Sequence, residues 1–282
     1  MNPSTVPILA ALIALVAAVC WGTGDFSGGL ASRRSDPFSA VLLSYCVGLV
    51  MMVTLALVRG EKFTTPADLG WGALSGLSGM VGVGLLFRGF TQGRMGIVSP
   101  VSAVLSSALP VIFAALTKGL PREIQLAGFA LGLAGIWLLA RPERFVGRPK
   151  GLGMAVLAGI GFGGFFIGLG QVGKEAVFWP LAAGRAASIL AMLAFALATH
   201  RRVKPQRSAL GFYFLTGVLD VSGNLFFLLA TQLGRLDVTA VLGSFYPAVT
   251  AVVAWWAIKE RLTRLQVLGI GAAVMAIVMI TV

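Results

Sequence analysis

Apolar residues run along this chain in long blocks, separated by short polar connectors. The blocks cover residues 1–24, 37–58, 69–87, 95–117, 124–140, 151–173, 176–199, 208–234, 238–258 and 265–282. Each is at or near the ~20 residues that a helix needs to cross a bilayer. Period-two alternation, the mark of a membrane barrel, is absent. Inside lipid the remaining way to satisfy the backbone is the helix. The pattern therefore predicts an all-α membrane protein with ten transmembrane helices. The connectors are short, so neighbouring helices are expected to run antiparallel. Charges interrupt two blocks: Arg185 breaks the seventh and Asp220 the eighth.

The blocks repeat. Thr91-Gln92-Gly93-Arg94 opens a run that contains Pro110 and leads to Glu123. Thr231-Gln232-Leu233-Gly234-Arg235 opens a later run that contains Pro247 and leads to Glu260, and proline to glutamate is 13 residues in both. A recurrence near 140 residues divides the chain into two units, 1–142 and 143–282. Each unit holds five helices. An odd number makes the second enter the bilayer from the opposite side, so the expected architecture is two inverted five-helix repeats around a central cavity.

Composition narrows the class. Charged residues make up 11% of the chain and mean hydropathy is +0.92; a soluble domain carries about 25% charge. The net charge of +12 does not call for nucleic acid as a partner, because the basic residues sit in the connectors. With Arg88 left to its helix, connectors after helices 1, 3, 5, 7 and 9 hold fourteen Lys and Arg, the alternate ones six. The positive-inside rule puts the first set in the cytoplasm and both termini outside. The first block reads as a membrane helix rather than a cleaved signal, since no basic residue precedes it. Cys20 and Cys46 lie in apolar blocks and form neither a disulfide framework nor a metal-ligand spacing. The sole histidine, His200, is in a connector, and no nucleophile triad or phosphate loop is present. No enzyme activity, metal or cofactor is expected.

Candidate chemistry concentrates at a few intramembrane positions. A charge at bilayer depth costs about 2.5–3.5 kcal/mol even on insertion scales, so it faces water or a partner. Asp220 shares a helical face with Thr216, Asn224, Phe227 and Thr231; it either faces a cavity or closes a structural bridge. Asp25 shares a face with Trp21, and GTGDFSGG around it suggests a thinned or partly unwound helix end near the interface. Arg88 lies near the end of its block, where it can snorkel. Ser99, Ser102 and Ser106 form a stripe on helix 4, and Tyr246, with Ser244 nearby, is on helix 9. Their hydroxyls face either ligand or their own backbone. Pro110 and Pro247 free backbone carbonyls and suit hinges. Trp21 and Phe162, on corresponding helices 1 and 6, either stack on a substrate or pack. Gly128/Gly132, Gly159/Gly163 and Gly164/Gly168 are spaced for close helix contact.

Taken together, Tyr246-Pro247, Lys259-Glu260-Arg261-Leu262-Thr263, Gln266 and Gly269, with Trp21-Gly22, Pro110, Glu123, Gln125 and Gly128 in the first half, resemble an EamA-type ten-helix carrier of the drug/metabolite transporter superfamily. The first-half glutamate hairpin is four residues shorter. The resemblance implies a central cavity lined by helices 1, 3, 4, 6, 8 and 9, with 5 and 10 peripheral. It also implies an arginine at the place of Arg185, best read as a structural partner of a carboxylate. The expected activity is secondary transport in a bacterial inner membrane: export of amino acids or related small metabolites by alternating access, with Trp21, Asp25, Ser99, Ser102, Phe162, Asp220, Asn224, Ser244 and Tyr246 touching substrate. The alternatives are drug efflux on the same fold, an integral-membrane lipid enzyme, or a scaffold or receptor without transport. Partners are a small solute and membrane lipid, with the protein monomeric or dimeric.

Overall fold

The structure is a computed structural model that describes residues 5–92, 95–140, 152–259 and 263–281. Helices form where the apolar blocks predict them: α1 (Thr5–Arg34), α2 (Pro37–Val58), α3 (Pro66–Gln92), α4 (Met95–Lys118), α5 (Glu123–Ala140), α6 (Leu152–Leu169), α7 (Phe178–Ala198), α8 (Leu210–Leu233), α9 (Leu236–Gly243), α10 (Tyr246–Ile258) and α11 (Arg264–Thr281). Among the described residues, eight helical stretches are long and apolar enough to cross a membrane, with α9 and α10 counted as one. Two shorter apolar stretches, Glu123–Leu138 and Arg264–Ile280, complete the set. The junction expected at residues 142–143 and the later hairpin's Glu260 lie outside the described residues.

Two helices differ from expectation. The first runs unbroken through Arg34, so Asp25 sits within a helix and inside the candidate span Val6–Ser32, not at an unwound end. Tertiary packing overrides the low helix propensity of the glycines there. A Cβ on Gly22 would lie 2.6 Å from the Tyr246 carbonyl, and one on Gly24 would lie 3.3 Å from Leu219 Cβ. Both glycines therefore let neighbouring helices close on α1. The ninth block, expected as one helix, breaks at Ser244-Phe245 into α9 and α10. Pro247 cannot donate to the carbonyl four residues back. That residue is Gly243, which tolerates opening of the chain. In α4 the matching residue before Pro110 is Ser106, whose hydroxyl bonds the Ala103 carbonyl at 2.9 Å, and the helix stays continuous.

The packing is the same when the halves are exchanged. α1 lies against α8 and α6 against α3; α2 against α8 and α7 against α3; α1 against α10 and α6 against α4; α2 pairs with α7 and α5 with α11. The register is repeated residue by residue. A Cβ on Gly223 would strike the Trp21 ring at 2.5 Å, and one on Gly82 would strike the Phe162 ring at 2.9 Å. Both pairs are displaced by 141 positions. α6 divides its glycines between two neighbours: Gly159 and Gly163 meet Leu105 and Leu109 of α4, while Gly164 and Gly168 meet Ser78 and Ser75 of α3.

α2 and α7 run antiparallel and are tied at both ends. Beyond the end of α2, Glu61 accepts the Val177 and Phe178 amides at 2.6 and 2.8 Å, which caps the start of α7. Beyond the end of α7, Arg201 pairs at 2.8 Å with Asp36, the N-cap of α2. Burial raises the Asp36 pKa, but hydrogen bonds from Arg201 and Ser39 outweigh it and hold the carboxyl below its usual range.

Two outcomes follow. Gly76→Ala puts a Cβ 2.2 Å from the Gly184 carbonyl of α7, whereas Gly29→Ala meets nothing within 4 Å. Thermal melting in detergent is expected to show a loss of about 1–3 kcal/mol for the first and little change for the second. A depressed carboxylate contributes stability above its unfolded pKa of about 3.9 and loses it as pH falls through the folded value. Asp36→Asn keeps a good cap but is expected to flatten the melting temperature against pH below about pH 4, relative to the unmutated chain.

Candidate functional site

The centre of the bundle holds an aromatic cluster. Trp21 of α1 lies 5.6 Å from Phe166, 6.2 Å from Phe165 and 5.7 Å from Phe227 between ring centroids, and Phe166 stacks on Phe227 at 4.7 Å. These rings come from α1, α6 and α8, so they join the two halves. The Trp21 indole N–H donates to Asn224 Oδ1 at 3.0 Å. Both residues are buried, at 9% and 8% exposure. Trp21 and Asn224 thus satisfy each other in the closed centre.

Below this cluster the space between the halves is filled. Phe166, Leu169, Val172, Ala176, Phe227, Leu228 and Leu236 form one buried core. At the end of the bundle beyond them, Asp68 accepts the Gly173 amide at 2.7 Å, and the Gln232 side chain donates to the Gly173 and Ala176 carbonyls, each at 2.9 Å. The Trp179 indole donates to the Glu61 carbonyl at 3.0 Å. Together with the Glu61 cap, the Asp68 and Trp179 bonds latch the halves at this end, while the Gln232 bonds hold α8 to the α6–α7 connector within the second half.

On the other side of the rings the space is not filled. Asp25 lies one helical turn beyond Trp21 on the same face, and it is exposed. Asp220 lies one turn beyond Asn224 on α8, with its side chain 35% exposed. A Cβ on Gly29, one turn further along α1, would meet nothing. The exposed surface of Asp25 and Asp220 marks an open space, a chamber, on the far side of the aromatic floor from the packed core.

Its walls are charged. Arg185 of α7 reaches Asp220 in a hydrogen-bonded ion pair. The guanidinium lies over the Tyr45 ring of α2, 4.3 Å from the centroid. Asp25 and Asp220 repel each other, and the charge of Asp25 also acts on Tyr45 and Tyr246. Arg185 is 6% exposed, and its Nε, with Ser44 Oγ and Thr216 Oγ1, is buried with no hydrogen-bond partner among the described residues. One cation and two carboxylates leave the chamber at net −1 with all three ionised.

The structure thus brings Asp25, Asp220 and Tyr246 together, with Arg185 as the partner of Asp220. Tyr45 belongs with them, and sequence reasoning missed it. Its signal was faint: a tyrosine inside an apolar block, with no charge nearby in the chain. Other candidates lie elsewhere. Ser244 is fully buried, and its hydroxyl returns to the Ala240 carbonyl at 2.8 Å. Ser102 is 1% exposed, where α4 meets Gly159 of α6. Phe162 is half-buried against Gly82. All three make helix contacts in this conformation. The side chains of Ser99 and Arg88 lie outside the described residues. Pro247 begins α10 and Pro110 is buried in α4. A separate apolar groove of about 530 Å³ runs between α2 and α8, lined by Val47, Val50, Met51 and Phe214 among others. It carries no charged group and suits lipid tails.

These features define a polytopic helical membrane protein with a charged chamber between two like halves. The chain belongs to the EamA-like transporter family, whose model matches twice, over residues 8–141 and 149–282. It is a membrane transporter, and its place is the inner membrane. A relative from Escherichia coli K12, named as the inner membrane transporter YedA, is 24% identical over 98% of this chain and 90% of its own length. The protein MJ1333.1 of Methanocaldococcus jannaschii is 25% identical over 46% of this chain and 96% of itself, so it matches about one half. A solved structure titled only as a crystal structure of a protein has the same fold, with a TM-score of 0.82 at 18% identity over 97% of this chain and 98% of that one.

The ion pair has a measurable consequence. Breaking a buried pair costs about 3–5 kcal/mol, and less where one partner is a third open to water. Asp220→Asn is expected to lower the melting temperature by leaving the Arg185 guanidinium without its anion. Adding Arg185→Met to that variant is expected to recover most of the loss.

Proposed function

We propose that this protein is a secondary carrier that exports amino acids or related small metabolites by alternating access. The two matched units act as inverted repeats, and the antiparallel run of α2 and α7 supports that relation, because they are the second helices of the two halves. The observation that carries the proposal is the one-sided chamber: charged side chains reach solvent on one side of the aromatic cluster, while packing and latch bonds fill the other. A carrier needs a site open to one face at a time.

The chamber opens toward the end where α1, α7 and the other odd-numbered spans deliver the basic connectors. By the positive-inside rule that end is cytoplasmic, so this conformation is the one that loads an exported solute. To release it, the latch of Glu61 and Asp68 opens and the opposite end closes. The Asp36–Arg201 pair ties α2 to α7 at the loading end, as Glu61 does at the other, so tightening one tie as the other loosens gives two discrete arrangements. Solute binds at Asp25, Asp220 and Tyr246. Drug efflux uses the same cycle with a more apolar solute. A lipid enzyme would need a polar catalytic cluster at one membrane face.

The test is counterflow of a labelled set of small metabolites, amino acids and their decarboxylated amines among them, into liposomes holding the pure protein. Exchange is expected, and it is expected to stop when the latch is locked by oxidising an Asp68→Cys, Gly173→Cys variant with Cys20 and Cys46 replaced by serine. Reduction is expected to restore it. Undiminished exchange in the locked protein removes alternating access at this latch, and absence of exchange for every solute tried removes the carrier reading.

A further inference from the structure

Resting on the carrier reading, we propose that the chamber selects an organic ammonium with an apolar body and no carboxylate, held by Asp25. Amines, rather than amino acids, are its substrate class.

The Arg185 guanidinium is committed to Asp220 and to the Tyr45 ring, and it is nearly buried. Its Nε has no partner among the described residues but is buried, so it is closed to a solute's carboxylate. Two other described cations near this end are also engaged: Arg34 lies over the Phe212 ring at 4.5 Å, and Arg201 pairs with Asp36. Asp25 is different. It is exposed and makes no ion pair or hydrogen bond with any described residue. An ionised carboxylate inside a membrane span needs a counter-charge or water. In this chamber the counter-charge is left for the solute to bring.

The surroundings decide what kind of cation fits. A hard metal ion takes six or more oxygens; here one carboxylate is free and the other is spent on Arg185. The half-buried rings of Phe165 and Tyr246 offer apolar and aromatic surface, which suits an organic body and favours a cation over a ring face. With both carboxylates ionised, a solute carboxylate would enter a site of net charge −1, and no free donor cation lines it among the described residues. The site therefore rejects zwitterions and anions as strongly as it attracts amines.

Phenethylamine, phenylalanine and phenylacetate share one ring and differ in charge: cation, zwitterion and anion. Calorimetric titration of the purified protein is expected to show phenethylamine binding at least tenfold more tightly than phenylalanine, with phenylacetate not binding. Asp25→Asn is expected to lose tenfold or more of the amine affinity at an unchanged melting temperature, and Asp25→Glu to keep most of it. Equal or tighter binding of phenylalanine or phenylacetate, no binding of phenethylamine, or an unchanged affinity in Asp25→Asn overturns the assignment. Counterflow separates this from the carrier reading. Asp25-dependent amine binding with no exchange leaves the site standing and removes the carrier; phenylalanine exchange that survives Asp25→Asn removes the site and leaves the carrier.

Discussion

A guanidinium within a membrane has to be neutralised, and the placement of Arg185 organises much of this molecule. It sits on α7 with its anion on α8 and its aromatic partner on α2. Three helices from two halves are therefore held by one cation. α8 in turn lies against α1, with Gly24 against Leu219 and Gly28 against Thr216. This contact sets Asp25 beside Asp220 and raises the chamber wall. Because Arg185 answers one carboxylate and two are present, the neutralisation is incomplete, and the remaining charge faces open space.

Close approach of helix backbones is the second requirement, and it is met by glycine. Between apolar helices in lipid there is no hydrophobic driving force, so contact area and short approach have to supply the attraction. α3 and α7 cross where Gly72 faces the Pro180 carbonyl and Gly76 faces Gly184. The same α7 starts with the Glu61 cap and carries Arg185 in its middle. Latch, crossing and ion pair thus lie along one helix, and a movement that opens one is felt by the others.

Much of the fold was legible in the sequence because its strongest signal is length. A block of about 20 uncharged residues has few alternatives in lipid, so helix positions followed directly. Charge inside a block was equally legible: Asp220 and Arg185 stood out and are found paired. What the sequence obscured was direction. Ser102, Ser244 and Phe162 have the right chemistry for a site, but which way a helix face turns depends on its neighbours. Gly159 draws Ser102 into a contact, and Gly82 does the same to Phe162. Asp25 was misplaced toward a helix end because its flanking glycines read as a breaker, when they are the surfaces on which α8 and α10 pack. The ninth span divided because Gly243 stands where α4 has Ser106, a difference visible in the sequence but with no local rule to weigh it.

The duplicated scaffold carries its chemistry on one side, and the displacement of 141 positions shows why. Trp21 and Phe162 correspond, as do Gly223 and Gly82. By the same offset Asp25 corresponds to Phe166, Asp220 to Gly79 and Arg185 to Ser44. Each charged group on one side of the centre thus faces a neutral counterpart on the other. Phe166 stands where a carboxylate would be, and it lies in the aromatic cluster; a Cβ on Gly79 would lie 3.2 Å from the Phe165 ring. Two similar halves would otherwise build two similar chambers, one at each end. Replacing three charges with a phenylalanine, a glycine and a serine turns the second chamber into packed core. The polarity of the site is therefore a property of unequal substitution on an even frame.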